Sequence, residues 1–516
     1  MIKKPKFTDV NENFEIIFNP AGAGNMNRTK LSLHLKNRTE RKYPQAFKHA
    51  LVALVSALLF SAVSHATPAD NRQDQITLLI EATEQRHQQF SESFQAFLLT
   101  QPQWFSEKQS EIQPLLSVVK QHIAENNSIL AANTLFNNMA LLNQYYDDKN
   151  IPYFISILLN QNDTKTAQAL FDLVNQQGGQ ALISNSSYQF AIFSFRRNEW
   201  QKTEQLLDGI INDLVGEDYQ YALLMQGVSL QKLKRHRDSL AYYEKIEPTS
   251  SYYLPARLNM AIANIRQGWW TDAHITIQNT LKSAEATEQE ETINRLYLTL
   301  GYSLLSQKNY RDSRNYFRNI SVDSLYANRA LLGITLAAAN QNDFVGALNS
   351  ANILKEKQSY QLPVDESHLL TPYFYEKLQQ PTTASAGYLE AINYYQKRVT
   401  ELQSLIDSDI ALENHPIQLN INATLEIEKN PINFSAEYPD YFFENYLKLK
   451  TYEKYFENID NETIKNEYEQ LNNQYQTTII KMVRNLLKKR VEQLNSYMAQ
   501  SRFGLARLYD SHLVDH

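Results

Sequence analysis

Small and apolar positions return along this chain at a period near 36 residues. The markers are Ser128, Thr164, Trp200, His236, Trp270, Tyr310, Phe344 and Pro381, separated by 36, 36, 36, 34, 40, 34 and 37 residues. Three residues after each marker stands a small side chain: Ala131, Ala167, Thr203, Ser239, Ala273, Ser313, Ala347 or Ala384. Four further on comes a packing residue: Leu135, Phe171, Leu207, Tyr243, Ile277, Phe317, Ala351 or Tyr388. Nine before the central markers stand Ala191, Gly227, Ala261, Gly301 and Thr335. Two helices approach closely where both carry small side chains, so each unit is expected to be an antiparallel helix pair with large residues filling its flanks. Two residues before the central markers lie Asn198, Lys234, Gly268, Lys308 and Asn342. Gly and Asn suit the left-handed turn that ends a helix.

Outside the repeats the pattern changes. From Asp74 to Ser117, Ile76, Leu79, Ile80, Phe90, Phe94 and Phe97 recur at helical intervals, interrupted near Pro102, which predicts an amino-terminal helical cap. Between Pro416 and Pro431, the residues Ile417, Leu419, Ile421, Ala423, Leu425 and Ile427 alternate with polar ones, predicting a strand that must fold into a hairpin, lie over the array or pair with another chain. From Asn461 to Ser511 an apolar stripe through Ile464, Tyr468, Leu471, Tyr475, Ile479 and Met482 predicts one long helix or two. Its aromatic members favour core packing against the array over a coiled-coil seam.

The period and the order of small and aromatic positions resemble the tetratricopeptide repeat family, whose consensus has about 34 residues. The resemblance spans roughly residues 112–406 and implies an all-α fold: a right-handed superhelical solenoid of helix-turn-helix units, here with a short β element and a long C-terminal helix. The organisation expected is 1–66 an extension and signal peptide, 67–111 a helical cap, 112–406 the array, 407–460 an irregular segment with a strand, and 461–516 a helical segment. The consensus Trp, Gly and Tyr positions of the first helix are only partly kept.

Composition narrows this. Thirteen glycines in 516 residues is well below the usual share of about 7% and argues for long helices over turn-rich β structure. There is no cysteine, which excludes disulfides, thiolate metal sites and cysteine nucleophiles. Met26 to Lys48 holds seven Lys or Arg residues and one acid, and about 14 apolar residues, Ala50 to Val63, follow. Ser64-His65-Ala66 then offers small side chains where a signal peptidase reads, so cleavage after Ala66 and a periplasmic location are expected, with an uncleaved inner-membrane anchor as the alternative. Translation begins at Met1 or at Met26. Without residues 1–66, 40 basic residues stand against 52 acidic, a formal net charge of −12, which disfavours nucleic-acid binding.

No enzyme signature appears: there is no phosphate-cradling glycine loop, no zinc-binding His-Glu-x-x-His and no glycine-flanked serine elbow. His122, His236 and His274 sit on repeat helices and read as packing residues. Catalytic residues, metal ligands and cofactors are therefore expected to be none. The resemblance implies that the first helix of each unit lines a concave groove. Five residues after its small position stand Arg196, Lys232 and Arg266, with Arg295 and Arg329 six residues before it in later units, and Tyr221 and Tyr302 as flat surfaces. Such a ladder suits an extended, partly acidic peptide, a carboxyl terminus or an anionic glycan. Bases in a last helical turn also offset the helix dipole. The expected function is a non-catalytic protein–protein scaffold for an envelope assembly or transport complex, touching membrane only through an uncleaved signal or a partner. The alternative is a polysaccharide- or peptidoglycan-associated factor or hydrolase helper.

Overall fold

The computed structural model describes residues 68–514, apart from 102–103, 105–106, 287–288, 420–421 and 457–460. The expected signal peptide and its cleavage site lie outside the described residues. Among the described residues, no helix is long and apolar enough to cross a membrane.

After a first helix α1 (Pro68–Leu98), eight helix pairs follow: α2 (Ile112–Ala124) with α3 (Ser128–Asn137); then, past a short α4 (Met139–Gln144), α5 (Ile151–Asn160) with α6 (Thr164–Gln177). Next come α7 (Gln180–Arg196) with α8 (Trp200–Asp208), α9 (Gly216–Lys232) with α10 (His236–Tyr243), and α11 (Tyr253–Gln267) with α12 (Trp270–Ala286). The last three are α13 (Glu290–Ser306) with α14 (Tyr310–Arg318), α15 (Ala327–Asn340) with α16 (Phe344–Lys355), and α17 (Leu362–Lys377) with α18 (Pro381–Asp407). Every marker residue is the first residue of its unit's second helix, and all eight small residues that follow are fully buried.

The reason is close approach. A Cβ built on Gly227 would lie 2.4 Å from the Tyr243 ring, and one on Gly301 2.5 Å from the Phe317 ring. The large side chain of the second helix therefore lies flat on bare backbone of the first. Each turn is built alike: Asn126, Asn162, Asn198, Lys234, Gly268, Lys308, Asn342 and Gln379, two before each marker, all have positive φ, from 57° to 76°. The next N–H reaches back five residues, as in Asp163 N to Leu158 O at 3.0 Å and Asn309 N to Leu304 O at 2.9 Å. This closing bond overrides the ordinary aversion of Lys and Gln for the left-handed region.

The C-terminal part departs from expectation in two ways. The apolar alternation from Ile417 to Ile427 is not one strand: β1 (Gln418–Leu419) and β2 (Ala423–Ile427) pair antiparallel, and β3 (Asn430–Asn433) pairs with β2. Ala423, Leu425 and Ile427 face the core as the alternation requires, whereas Leu419 is exposed. The meander pairs both sides of the central strand β2. Then follow α19 (Asp440–Lys450), α20 (Glu453–Phe456) and the single 53-residue helix α21 (Glu462–Val514), about 80 Å long.

Secondly, α1 does more than cap the first unit. Phe90 and Phe94 of α1, Ile129 of the first unit, Tyr395 and Leu402 of the last, the sheet residues Leu425 and Ile432, Phe442 and Phe443 of α19, and Tyr475 and Ile479 of α21 form one apolar core. The first and last units are therefore tied to each other through the C-terminal module. Two buried carboxylates fasten it. Glu84 of α1 accepts from Tyr475 Oη at 2.7 Å and Asn445 Nδ2 at 2.7 Å, and pairs with Arg197, the residue that caps α7, at 3.4 Å. Asp365 of α17 is fully buried and pairs with Arg490 of α21.

Candidate functional site

One register of the array decides what faces inward. Asn160, Arg196, Lys232 and Arg266 recur at intervals of 36, 36 and 34 residues, each at or beside the end of its unit's first helix. On that side of the array a cavity of about 390 Å³ opens. Its walls include Phe195 and Arg196 of α7, Trp200 of α8, Tyr221, Leu224 and Lys232 of α9, Leu258, Ile262 and Arg266 of α11, and Arg295 of α13. Four consecutive units thus contribute. The lining is mainly apolar, with four basic side chains set in it.

Five of the seven residues expected from the sequence, Arg196, Lys232, Arg266, Arg295 and Tyr221, line this cavity. Tyr302 and Arg329 are corrections. Tyr302 is only 2% exposed, meets the Phe317 ring edge-on at 4.9 Å and donates its hydroxyl to the Arg329 carbonyl at 2.9 Å. It seals the junction between α13 and α15 and offers no flat contact surface. Arg329 is half-buried and outside the lining, and desolvation lowers its pKa. The helical period put Tyr302 inside the contact between units rather than on the open face.

The structure adds a feature absent from the repeats. Helix α19 lies across the neighbouring stretch of the same groove: Tyr441, Glu444, Asn445 and Lys448 line a second, narrow cavity of about 50 Å³ with Asn160 of α5, Gln189 and Phe193 of α7 and Arg197 just past its end. Phe442, Phe443, Tyr446 and Leu449 on its other face are buried in the C-terminal core. Glu444 forms an ion pair with Arg196, whose Nη1 also donates to Asn160 Oδ1 at 3.1 Å, and Lys448 Nζ donates to the Asn160 carbonyl at 2.9 Å. Asp440 and Glu444 complete the wall of the larger cavity.

Burial and neighbours set the charges. Burial, helped by the Arg196 guanidinium, lowers Lys448 to about 8, and burial raises Asp440 to about 6 against the hydrogen bond from Ser435. Desolvation lowers the Arg295 pKa. The Lys232 ammonium lies 5.8 Å from the centre of the Trp200 ring. The site gathers positive charge over an apolar surface, which is the chemistry of holding a carboxylate-bearing chain.

Sequence reasoning missed Trp200, Leu224, Leu258 and Ile262 as wall residues, and the acids Asp440 and Glu444. The apolar ones carry a signal: Leu224 and Leu258 share one register, 34 residues apart. The acids carry none, because a segment beyond the end of the array supplies them. Among the described residues no group of three or more His, Asp or Glu side chains is placed to hold a metal ion. Burial lowers His236 to about 4, and His274 Nε2 lies 3.0 Å from Ser303 Oγ.

These features define an all-α solenoid of tetratricopeptide-type repeats, closed by its own C-terminal module and open along one basic groove. No protein-family model and no curated protein sequence matches the chain. Among solved structures, the apo form of RapI aligns over 71% of this chain and 96% of its own, at 13% identity and a TM-score of 0.40. The apo form of the quorum sensor NprR from B. thuringiensis aligns over 69% and 98%, at 12% identity and a TM-score of 0.33. The TPR domain of P58(IPK) aligns over 71% and 98%, at 12% and 0.18. At these scores the repeat class rests on this chain's own helix pairs and turns.

Proposed function

We propose that the chain is a non-catalytic interaction scaffold that holds a carboxylate-bearing peptide segment of a partner in the groove between α7 and α13. The observation that carries this reading is the convergence of Arg196, Lys232, Arg266 and Arg295 from four successive units on one apolar cavity. Basic side chains set in an apolar wall suit an anionic group. The groove already binds one such group, since Arg196 holds Glu444 of the same chain. The basic stretch, apolar run and small residues between Met26 and Ala66 support export to the bacterial periplasm, and hence an envelope assembly or transport complex as the setting. Fractionation with amino-terminal sequencing of the recovered protein tests that; a cytoplasmic chain starting upstream of Thr67 refutes it.

The test of the groove is capture of partners from envelope extracts by the processed protein, beside a Lys232→Glu, Arg266→Glu variant of equal helicity and melting temperature. A defined partner retained by the first and lost by the second supports the reading. Equal retention by both overturns it.

A further inference from the structure

Helix α1 buries a polar stripe. Thr83, Glu84, His87, Ser91 and Gln95 are all buried, beside the apolar Phe90 and Phe94. The stripe and its neighbour Arg86 meet α21: Thr83 Oγ1 lies 3.5 Å from Thr478 Oγ1, Arg86 Nη1 donates to Gln474 Oε1 at 3.3 Å, and His87 Nδ1 lies 2.8 Å from Tyr475 Oη. Towards the array, the Asn133 amide donates to the Gln95 carbonyl at 2.8 Å, and Lys165 pairs with Glu92 at 3.4 Å. The helix is thus a strap tying the C-terminal module to the first units.

Hydrogen-bond directions fix the state of His87. Tyr475 has one hydroxyl proton and donates it to Glu84 at 2.7 Å, so it accepts from His87 Nδ1. A neutral imidazole with its proton on Nδ1 completes the chain. A second proton would put a cation, only 2% exposed, near Lys448 of α19 and Arg197 at the end of α7. The carboxylates there are engaged: Glu84 accepts from Tyr475 and Asn445 and pairs with Arg197, and Glu199 also binds Arg197, whose guanidinium lies over the Tyr441 ring at 4.5 Å. Burial, then Lys448 and Arg197, accordingly lower His87 from 6.5 to about 3.

We propose that α1 is an acid-released strap: the closed molecule holds it only while His87 is neutral, and proton uptake there frees α1 from α21 and α19 while the repeat pairs stay folded. Released His87 regains its ordinary affinity for a proton, so from pH 7.5 to 5.5 it shifts the equilibrium about tenfold towards release. Glu84 opposes this, because burial raises its pKa and the closed form takes that proton more readily. Release withdraws Glu84 from Arg197 and Asn445. Helix α19 then rests on the groove through Glu444 with Arg196 and Lys448 with Asn160. Closure of the array by its own module becomes conditional on pH, whatever the groove binds.

The test is amide hydrogen exchange of the full chain at pH 7.5 and 5.5, corrected for the intrinsic rate, read in peptides of α1 and of α13. Protection of α1 is expected to fall on acidification while that of α13 holds, as sub-global opening requires. His87→Gln, which keeps a donor for Tyr475, should remove that fall, the wild-type to variant ratio of release changing about tenfold between the two pH values. Constant protection of α1 in the wild type overturns the proposal. So does a parallel loss in α1 and α13, which is global opening, or a fall that His87→Gln retains. Should His87→Gln not fold, the wild-type comparison of α1 with α13 decides by itself.

Discussion

Phe317 gives the array its sharpest mechanical test. Its ring is 1% exposed and lies between two glycines: a Cβ on Gly301 of α13 would stand 2.5 Å from it, and one on Gly333 of α15 2.4 Å. In an unconstrained helix interior, Gly→Ala stabilises by about 1 kcal/mol through backbone entropy. Here the new methyl sits about 1 Å inside the normal contact distance, with ring atoms of a fully packed side chain on the receiving side. Overpacking of this kind costs about 1–3 kcal/mol, and at so short a distance the upper half of that range applies, so Gly301→Ala should destabilise by about 1–2 kcal/mol net. Long repeat arrays need not unfold in one step. The assay is therefore amide exchange across Leu298–Leu305, together with the urea midpoint. Faster exchange there, reversed in part when Gly301→Ala is combined with Phe317→Leu, is the expected result. A coupling energy above about 1 kcal/mol between the two sites marks direct contact. If Gly301→Ala slows exchange and raises the midpoint, propensity has won, and the ring does not lie on that helix backbone.

Other consequences follow from turns and buried charges. Lys234 and Lys308 hold φ of 64° and 67°, so Lys308→Gly should raise stability by about 0.5–1 kcal/mol, the left-handed strain of an L-residue less the added freedom of the unfolded chain; calorimetric melting checks it. His87 is buried beside the Tyr475 hydroxyl at 2.8 Å, and desolvation, then Lys448 and Arg197, lowers it to about 3. The unfolded chain takes up that proton near pH 6.5 while the native chain refuses it until about pH 3. This contribution to stability is thus present above pH 6.5 and lost as the pH falls through that window. His87→Gln should flatten the decline, measured as urea midpoints at a series of pH values. Asp365→Ala removes the carboxylate partner of half-buried Arg490 and should cost about 1–3 kcal/mol, read as faster exchange in the part of α21 around Arg490; unchanged protection there argues against the pair as a fastener.

The repeat architecture was legible because close approach leaves a local mark. Only small residues fit where two helix backbones nearly touch, so Gly227, Gly301 and the run from Ala131 to Ala384 announced the helix pairs, and the 36-residue spacing placed every second helix at its first residue. The left-handed turns were half legible. Gly268 and the asparagines at these turns have the chemistry, but Lys234, Lys308 and Gln379 adopt the same φ because the closing hydrogen bond requires it. The basic ladder was readable for the same periodic reason: residues one repeat apart occupy one face, and Arg196, Lys232 and Arg266 reach the same cavity.

Tertiary structure alone decided the rest. Tyr302 and Arg295 both lie on the first helix of one unit, yet Tyr302 is buried between units while Arg295 reaches the cavity, a difference of helix rotation that periodicity resolves only to a face. Most of all, the sequence on its own could not place Asp440 and Glu444 in a groove built from the units between Phe195 and Arg295, nor bring α1 and α21 together around Glu84 and Tyr475. Those contacts carry no spacing rule. They form because a 53-residue helix and an array of eight stacked pairs each leave an apolar face exposed, and burying both against one core joins the two ends of the chain and sets α19 across its own binding surface.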